Sequence, residues 1–570
     1  MRSAHDVATT ELGAIPADRF LADQSLIRWM GRRWPCGAAP LYATLALVPV
    51  ASPTHGRIRC GAPSTMIRRR TAVAQQKDIL LLTDRPNGAL AQDLDLLYPE
   101  RVEHLDFTTE AHDLSVLSPY QTVITMVTAG GNVEKLDYGA ITEYARGGGR
   151  VLSCLFEYAH NRGLHFSKSH VLDRMLPGMR IEVECDITRG YAVGDVLWWF
   201  GTVSGAAEEV YDNQALQRQV MGVREGDGVT ILGTSTVNGG AVMVEERVGR
   251  GRVLALDLLS LGRPYFNSKG ATNKYLFLGN LMGSGVRYGR HYPRRLDYDG
   301  FVDLMRATAD RYPELTMQAE GPCSDGRQMW SLNLGDPGKP TIYLGAAIHG
   351  WEWENAFGLL RFAEVICEDR SVEGLDTRRL HYKILPIQNP WGYDHFTRQN
   401  ARGVDLNRNF DWGWRPATDG QDVLVPWDYN YNGARPASEP ETQIIQGIVD
   451  RLRPMCVIDF HTADYIMLRA HRGDKELFDA IQADVKARLK DRFLVQKPYG
   501  GPYQQVNLER TTDIGPDQPY LVSYAAERGA TAAFLLEMSG NRDDVHALVI
   551  NTDTVVEICL AAVKQCLGRL

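Results

Sequence analysis

The sequence predicts an α/β protein of two domains, each built around a sheet, and three observations lead there. The chain has 570 residues, enough for two or three separate cores. Short continuous apolar runs alternate with amphipathic stretches in both halves, the pattern of strands buried between layers of helices. A charged and aromatic junction, Tyr288 to Arg295, separates the halves. Hydrophobic residues make up 44% and charged residues 23% of the chain, as in ordinary soluble globular proteins. The formal charge of -8 is mild for this length and implies no general attraction to nucleic acid.

Nine cysteines are scattered singly without a CxxC pair, so they read as buried thiols and not as a disulfide framework. The apolar run Ala38 to Ala51 is too short to span a membrane. With Arg32 and Arg33 ahead of it, it loosely imitates a signal peptide. Residues 1–75, rich in Arg, Ala and Pro, are expected to be a disordered or mis-assigned leader, with Met66 as an alternative start. A cytoplasmic location is favoured over export on this reading, and the oligomeric state stays open.

From Asp78 the pattern sharpens. Asp78–Asp84, Arg101–Phe107, Thr122–Val127 and Arg150–Phe156 read as strands, with a helix over Leu136–Arg146; turn residues bound the strands. Val229–Leu232 and Ala241–Glu246 bracket Asn238-Gly-Gly, a hairpin signal. A further strand, Val253–Leu258, follows Gly249-Arg-Gly-Arg, and a helix over Lys274–Met282 closes the region. The Tyr-x-x-Gly-Gly-Gly-Arg turn at Tyr144–Arg150 and the Val-Gly-Arg-Gly-Arg-Val hairpin resemble the class I glutamine-amidotransferase-like domains. That resemblance implies a flavodoxin-like parallel sheet over residues 76–290. The catalytic members carry a nucleophilic cysteine between close glycines. Cys154 instead has Leu152 and Phe156 at those positions, too bulky for a strained nucleophile turn. A domain without catalysis is expected.

The second domain is expected over residues 295–568. It opens with an amphipathic helix, Tyr298–Tyr312, bearing Phe301, Leu304, Met305 and Ala309 on one stripe. Two strands around Cys323-Ser-Asp-Gly-Arg327 follow. Ile342–Ile348 is an apolar strand that leads into His349, with Glu352 three residues on. An imidazole and a carboxylate at that spacing can face one point in space. Cys456-Val-Ile-Asp-Phe-His461 and Ala532-Ala-Phe-Leu-Leu-Glu537 are two more apolar strands, each ending in an ionisable residue.

His349-x-x-Glu352, the stretch Gly403-Val-Asp-Leu-Asn-Arg-Asn409 and the strand ends at His461 and Glu537 together resemble the zinc carboxypeptidases. The resemblance implies a carboxypeptidase-like α/β/α mixed sheet and one zinc ion on His349, Glu352 and His461. Two histidines and a carboxylate leave a fourth position for water, as the carboxypeptidase A ligand set does. It implies further that Asn407 and Arg408 bind the substrate's terminal carboxylate, where a planar guanidinium can grip both oxygens. Arg398 would stabilise the oxyanion, with Arg402 as runner-up. Asp405 would orient His349, and Glu537 would be the general base. Ser438 reads as a helix cap, with Glu441 completing a capping box.

The family's substrate-capping tyrosine has no counterpart at Thr511–Pro516, and Tyr503, Tyr520 and Tyr524 remain as choices. The remaining histidines, His381, His395 and His471, read as packing or surface residues. The function implied is a metallocarboxypeptidase acting on a peptide or amino-acid amide with a free carboxylate. The alternatives are a zinc amidase for cell-wall peptides or N-acyl amino acids, and an inactive binding protein.

Overall fold

The computed structural model describes residues 77–570, apart from 99, 128–129, 154–163, 172–177, 199–218, 225, 237–238, 257–275, 284, 291–294, 463–465, 471, 491, 493, 496–503, 507, 509, 516 and 539–547. The expected leader, Cys154, His471 and Tyr503 lie outside the described residues. Val73–Leu570 forms one compact unit, and it holds two large sheets.

The first sheet has 11 strands. Its parallel heart runs, side by side, Val102–Asp106, Ile79–Thr83, Thr122–Met126, Arg150–Ser153 and Gly251–Leu256. Each of the first four forms within an apolar run read from the sequence. Ala241–Val248 then turns antiparallel onto Gly251–Leu256 and onto Val229–Ser235. The helix Tyr138–Arg146 is capped by Asp137, whose side chain accepts from the Ala140 N–H, and lays Ile141, Tyr144 and Ala145 on the sheet.

The second sheet has eight strands in the order Leu315–Pro322, Gln328–Leu334, His381–Leu385, Thr341–Ala346, Cys456–Thr462, Ala532–Met538, Ile466–Ala470, Arg510–Ile514. The three central strands, Thr341–Ala346, Cys456–Thr462 and Ala532–Met538, run parallel, while Ile466–Ala470 is antiparallel to its neighbour. Period-two alternation sorts their side chains. Cys456, Ile458 and Phe460, with Ala532, Phe534 and Leu536, belong to the core shared with the helices Glu354–Glu368 and Leu548–Leu567. Val457, Ala533 and Leu535 face the opposite core, with Ile445, Ile448 and Leu521. The same alternation sends Asp459, His461 and Glu537 to this second face. His461 and Glu537 are register partners on adjacent strands, so strand pairing alone places them side by side.

The helix Leu548–Leu567 is the seam between the sheets. Its Asp553 Oδ1 accepts from the backbone N–H groups of Arg287 and Gly289 at 2.8 and 2.9 Å and from that of Tyr288 between them. Asp553 Oδ2 pairs with Arg492 at 2.6 Å, and Glu557 one turn on takes the same guanidinium at 2.8 Å. All three side chains are buried, where an acid left without its partners would be costly.

One expected cap moves. The helix Pro440–Leu452 starts from Glu439, not Ser438, because Pro440 occupies its first turn. The Ser438 hydroxyl instead accepts from Asn409 Nδ2 and donates to Glu439 Oε1. Glu441 turns away to accept from Ser324 and Asn400.

Candidate active site

The strand Thr341–Ala346 delivers the first two residues of the site. Just past its end Ala347 has φ of 50°, a left-handed conformation that costs a residue with a Cβ. His349 follows, and its carbonyl accepts from the Glu352 N–H at 2.9 Å. This short turn puts both side chains on one side. Gly350 is required within it, because a Cβ there would lie 1.8 Å from the Gly392 carbonyl carbon. The next helix, Glu354–Glu368, starts immediately. Glu354 sits in its first turn, where a carboxylate faces the positive end of the helix dipole, and has no place among the three clustered ligands.

His349, Glu352 and His461 converge, with one ligand atom from each lying within 4.8 Å of the others. His349 Nδ1 is 3.1 Å from Glu352 Oε1, His461 Nδ1 is 2.9 Å from Glu352 Oε2, and the two Nδ1 atoms are 3.2 Å apart. Each imidazole's other nitrogen has a carboxylate behind it. His349 Nε2 donates to Asp405 Oδ1 at 3.1 Å, and His461 Nε2 donates to Asp459 Oδ2 at 2.9 Å. A carboxylate only accepts, so the Nε2 atoms carry the protons and the Nδ1 lone pairs point at one another and at Glu352. Such a convergence of lone pairs calls for a cation in its midst. The nitrogen and carboxylate donors, with oriented imidazoles, suit zinc.

The charges around the cluster agree. Burial would favour a neutral Glu352, but the two imidazoles outweigh it and hold the carboxyl well below its ordinary range. Burial opposes ionisation of Asp405 too, and Arg398 followed by His349 overcomes it. For His461, burial would lower the proton affinity, yet Asp459 and Glu352 raise it well above the usual histidine value. The pocket therefore favours positive charge at its floor.

Seven of the eight residues singled out in the sequence line one cavity of about 230 Å³: His349, Glu352, Arg398, Asn407, Arg408, His461 and Glu537. The eighth, Asp405, sits behind His349 and also holds Arg398, with Nε at 2.8 Å and Nη2 at 2.6 Å from Oδ2. Arg398 is thereby fixed, with Nη1 3.2 Å from His349 Nδ1. Arg402 lies outside the cavity, exposed and 3.8 Å from Glu439. Arg408 differs from Arg398. Among the described residues no carboxylate is ion-paired with it; its guanidinium lies over the Tyr520 ring, 4.4 Å from the centroid. Asn407 is held by the Leu521 N–H, which donates to its Oδ1 at 3.0 Å.

Glu537 lies near the carboxyl end of its strand with Oε2 buried and, among the described residues, without a hydrogen-bond partner. Burial raises its pKa, and the pull of His461 in the other direction does not cancel the rise. An unpartnered buried carboxylate oxygen beside a cation site is a proton acceptor in waiting. Of the tyrosines considered, Tyr520 lines the cavity. Tyr524 is turned away, its hydroxyl donating to Asp450.

Two functional neighbours escaped the sequence reading. Asp459 starts a buried relay in which Gln388 Nε2 donates to its Oδ1 at 2.9 Å and the Tyr343 hydroxyl donates to Gln388. Its signal was present: an acid two residues before His461 in an otherwise apolar strand faces the same way. Tyr429, which lines the cavity under Arg398, sits in an irregular loop with no periodicity to announce it. His381 is a packing residue as expected, bonded to Thr341 and lowered to about 4, mainly by burial.

Comparison with known proteins follows this geometry. Residues 301–564 match the zinc carboxypeptidase family model. Carboxypeptidase A4 of Mus musculus is 26% identical over 278 residues, covering 44% of this chain and 63% of that protein. Murein peptide amidase A of Escherichia coli K12 is 38% identical over 93 residues, 15% of this chain and 36% of that protein. The chain thus spans less than two thirds of these relatives. Among solved structures, the carboxypeptidase A from Helicoverpa armigera aligns with a TM-score of 0.41 at 16% identity, covering 56% of this chain and 88% of that one. The stretch that carries the three converging ligands is thus the one similar to the zinc carboxypeptidases.

Proposed function

We propose that the protein is a zinc-dependent peptide hydrolase that cleaves an amide bond next to a free carboxylate. The observation that carries this reading is the buried Glu537 Oε2, without a hydrogen-bond partner among the described residues, in one cavity with the three-ligand cluster and with Arg408, which no described carboxylate pairs. A zinc ion on His349, Glu352 and His461 would supply a Lewis acid and lower the pKa of a water. Arg408 takes the substrate carboxylate in two hydrogen bonds, with the Asn407 amide alongside. Arg398, locked by Asp405, faces the carbonyl oxygen that becomes negative. Glu537 accepts a proton from the attacking water and passes it to the departing amine. Asp405 and Asp459 act through the imidazoles, keeping each Nδ1 free of a proton. Tyr520 stands over Arg408 as the residue that covers the bound end of the substrate.

The 38% match to a murein peptide amidase favours a second reading of the same site, an amide in a cell-wall peptide with a free carboxylate. Residues 76–290 are read as an amidotransferase-like domain without catalysis. Their parallel strand order, second–first–third–fourth, follows the flavodoxin-like scheme, and Leu152 and Phe156 flank Cys154 where a nucleophile turn needs glycines.

The test is a peptide panel read by mass spectrometry, with and without a chelator. Single-residue release that stops on chelation is expected. Glu537→Gln should lower kcat by about a thousand-fold, within the usual range for a lost general base, while zinc content stays at one per chain. Loss of the base as pH falls through the Glu537 pKa sets the acid limb of kcat/KM. Release that survives both chelation and Glu537→Gln rejects the mechanism.

A further inference from the structure

Two arginine–tyrosine pairs line the cavity, Arg408 over Tyr520 at 4.4 Å and Arg398 over Tyr429 at 4.5 Å. If Arg408 takes the carboxylate of the departing residue, the pair Arg398 and Tyr429 is left for the acyl side of the substrate. Outside the cavity lining, further aromatic rings stand beside Tyr429 and beside Trp427 of the same loop. Trp351 lies 6.2 Å from Tyr429, Trp391 lies 5.4 Å from Trp427, and His395 stacks on Trp391 at 4.1 Å. Trp427 is 52% exposed and Tyr429 58%, so both rings offer apolar area to a partner in solution.

The loop holds these rings at a cost. Trp427 has φ of 78°, the largest positive value of any non-glycine described residue, and strain of this kind persists where surrounding structure enforces it. Here the enforcing contacts come from the site. Trp427 N–H donates to Gly403 O at 3.0 Å, Gln399 Nε2 to Asp428 O at 3.2 Å, and Arg398 Nε to Tyr429 O at 3.2 Å. A Cβ on Gly403 would come within 2.9 Å of the indole. The shelf is therefore held by the segment Arg398–Gly403, of which Arg398 also lines the cavity.

We propose that this aromatic shelf is an acyl-side subsite for a sugar ring, which makes the preferred substrate a glycosylated peptide. The proposal rests on the hydrolase reading above. An open, half-exposed shelf offers ring faces and no enclosing pocket. A sugar suits it, because its apolar C–H face covers the indole while its hydroxyl rim stays in water. An aromatic side chain would leave its second apolar face wet and would gain more from an enclosed site.

The experiment compares kcat/KM of the zinc-loaded protein for one peptide with and without a hexose on the first, second or third residue before the scissile bond. An aromatic side chain at the same positions forms the third arm. One glycosylated position is expected to exceed the plain peptide by about ten-fold, the scale of one good ring contact. Trp427→Ala and Trp391→Ala, both outside the catalytic set, should erase that gain and leave the plain peptide unchanged. Equal rates, a gain that survives both substitutions, or a larger gain from the aromatic arm overturns the subsite. Tryptophan fluorescence titration with the glycosylated peptide decides the matter independently of turnover. Saturable quenching lost in Trp427→Ala supports the subsite even if no peptide is cut, an outcome that would reject the hydrolase reading alone; absence of quenching rejects the subsite.

Discussion

Both sheets have a parallel heart, and both carry polar residues at or near the ends of central strands, yet among the described residues only the second gathers them into a cluster that could hold a metal. In the first sheet the ends are Thr83, Met126 and Ser153, with Thr125 and Ser153 bonded to each other at 3.1 Å. These hydroxyls satisfy one another and leave nothing over. In the second, His461 and Glu537 sit side by side with His349 close by, and the carboxylates that orient the imidazoles leave lone pairs and one bare oxygen facing inward. What distinguishes the two strand edges among the described residues is the polar capacity left unsatisfied after folding.

That contrast can be broken at several points. The largest effect is expected from His461→Ala, which removes a ligand and a strand-end partner together. Zinc content by atomic absorption should fall to near zero and peptide release with it; retained stoichiometric zinc would place the metal elsewhere. Arg408→Ala comes next. It should lower kcat/KM for free-carboxylate peptides by about a hundred-fold, the scale of a charged hydrogen-bonded pair, and abolish the preference over C-terminal amides. An unchanged preference would remove Arg408 from substrate recognition. Asp459→Asn tests the orienting shell and should weaken zinc about ten- to hundred-fold in chelator competition. The smallest effect belongs to the edge of the first sheet. Ser153→Ala should cost about 1 kcal/mol of stability in denaturant unfolding and leave turnover untouched. A fall in turnover there would mean that the two edges are coupled.

The site was legible in the sequence because its residues interrupt apolar strands. His349, His461 and Glu537 each stand where a buried strand should have ended in something bland, and the segment around Asp405–Arg408 has a specific spacing. Strand positions in both halves could be read for the same reason, since burial on two faces leaves continuous apolar runs. Contacts that depend on chain entry angles could not. Ser438 carries the cap signature, but Pro440 and the pull of Asn409 shift the helix start by one residue. Tyr429 and Trp427 lie in a loop shaped by distant partners, Arg398 and Gly403, which no local pattern announces.

The Asp553 clasp bears on how the chain is made. Its carboxylate closes over backbone groups up to 266 positions earlier. At ribosomal speeds of about 5–20 residues per second, roughly ten to fifty seconds separate the emergence of the two sides. Throughout that interval Ile187, Tyr191, Leu281 and Val286, which share a core with the helix Leu548–Leu567, lack that helix as a partner. The flank of the first sheet that packs on it is therefore completed only when the last stretch of the chain has been made.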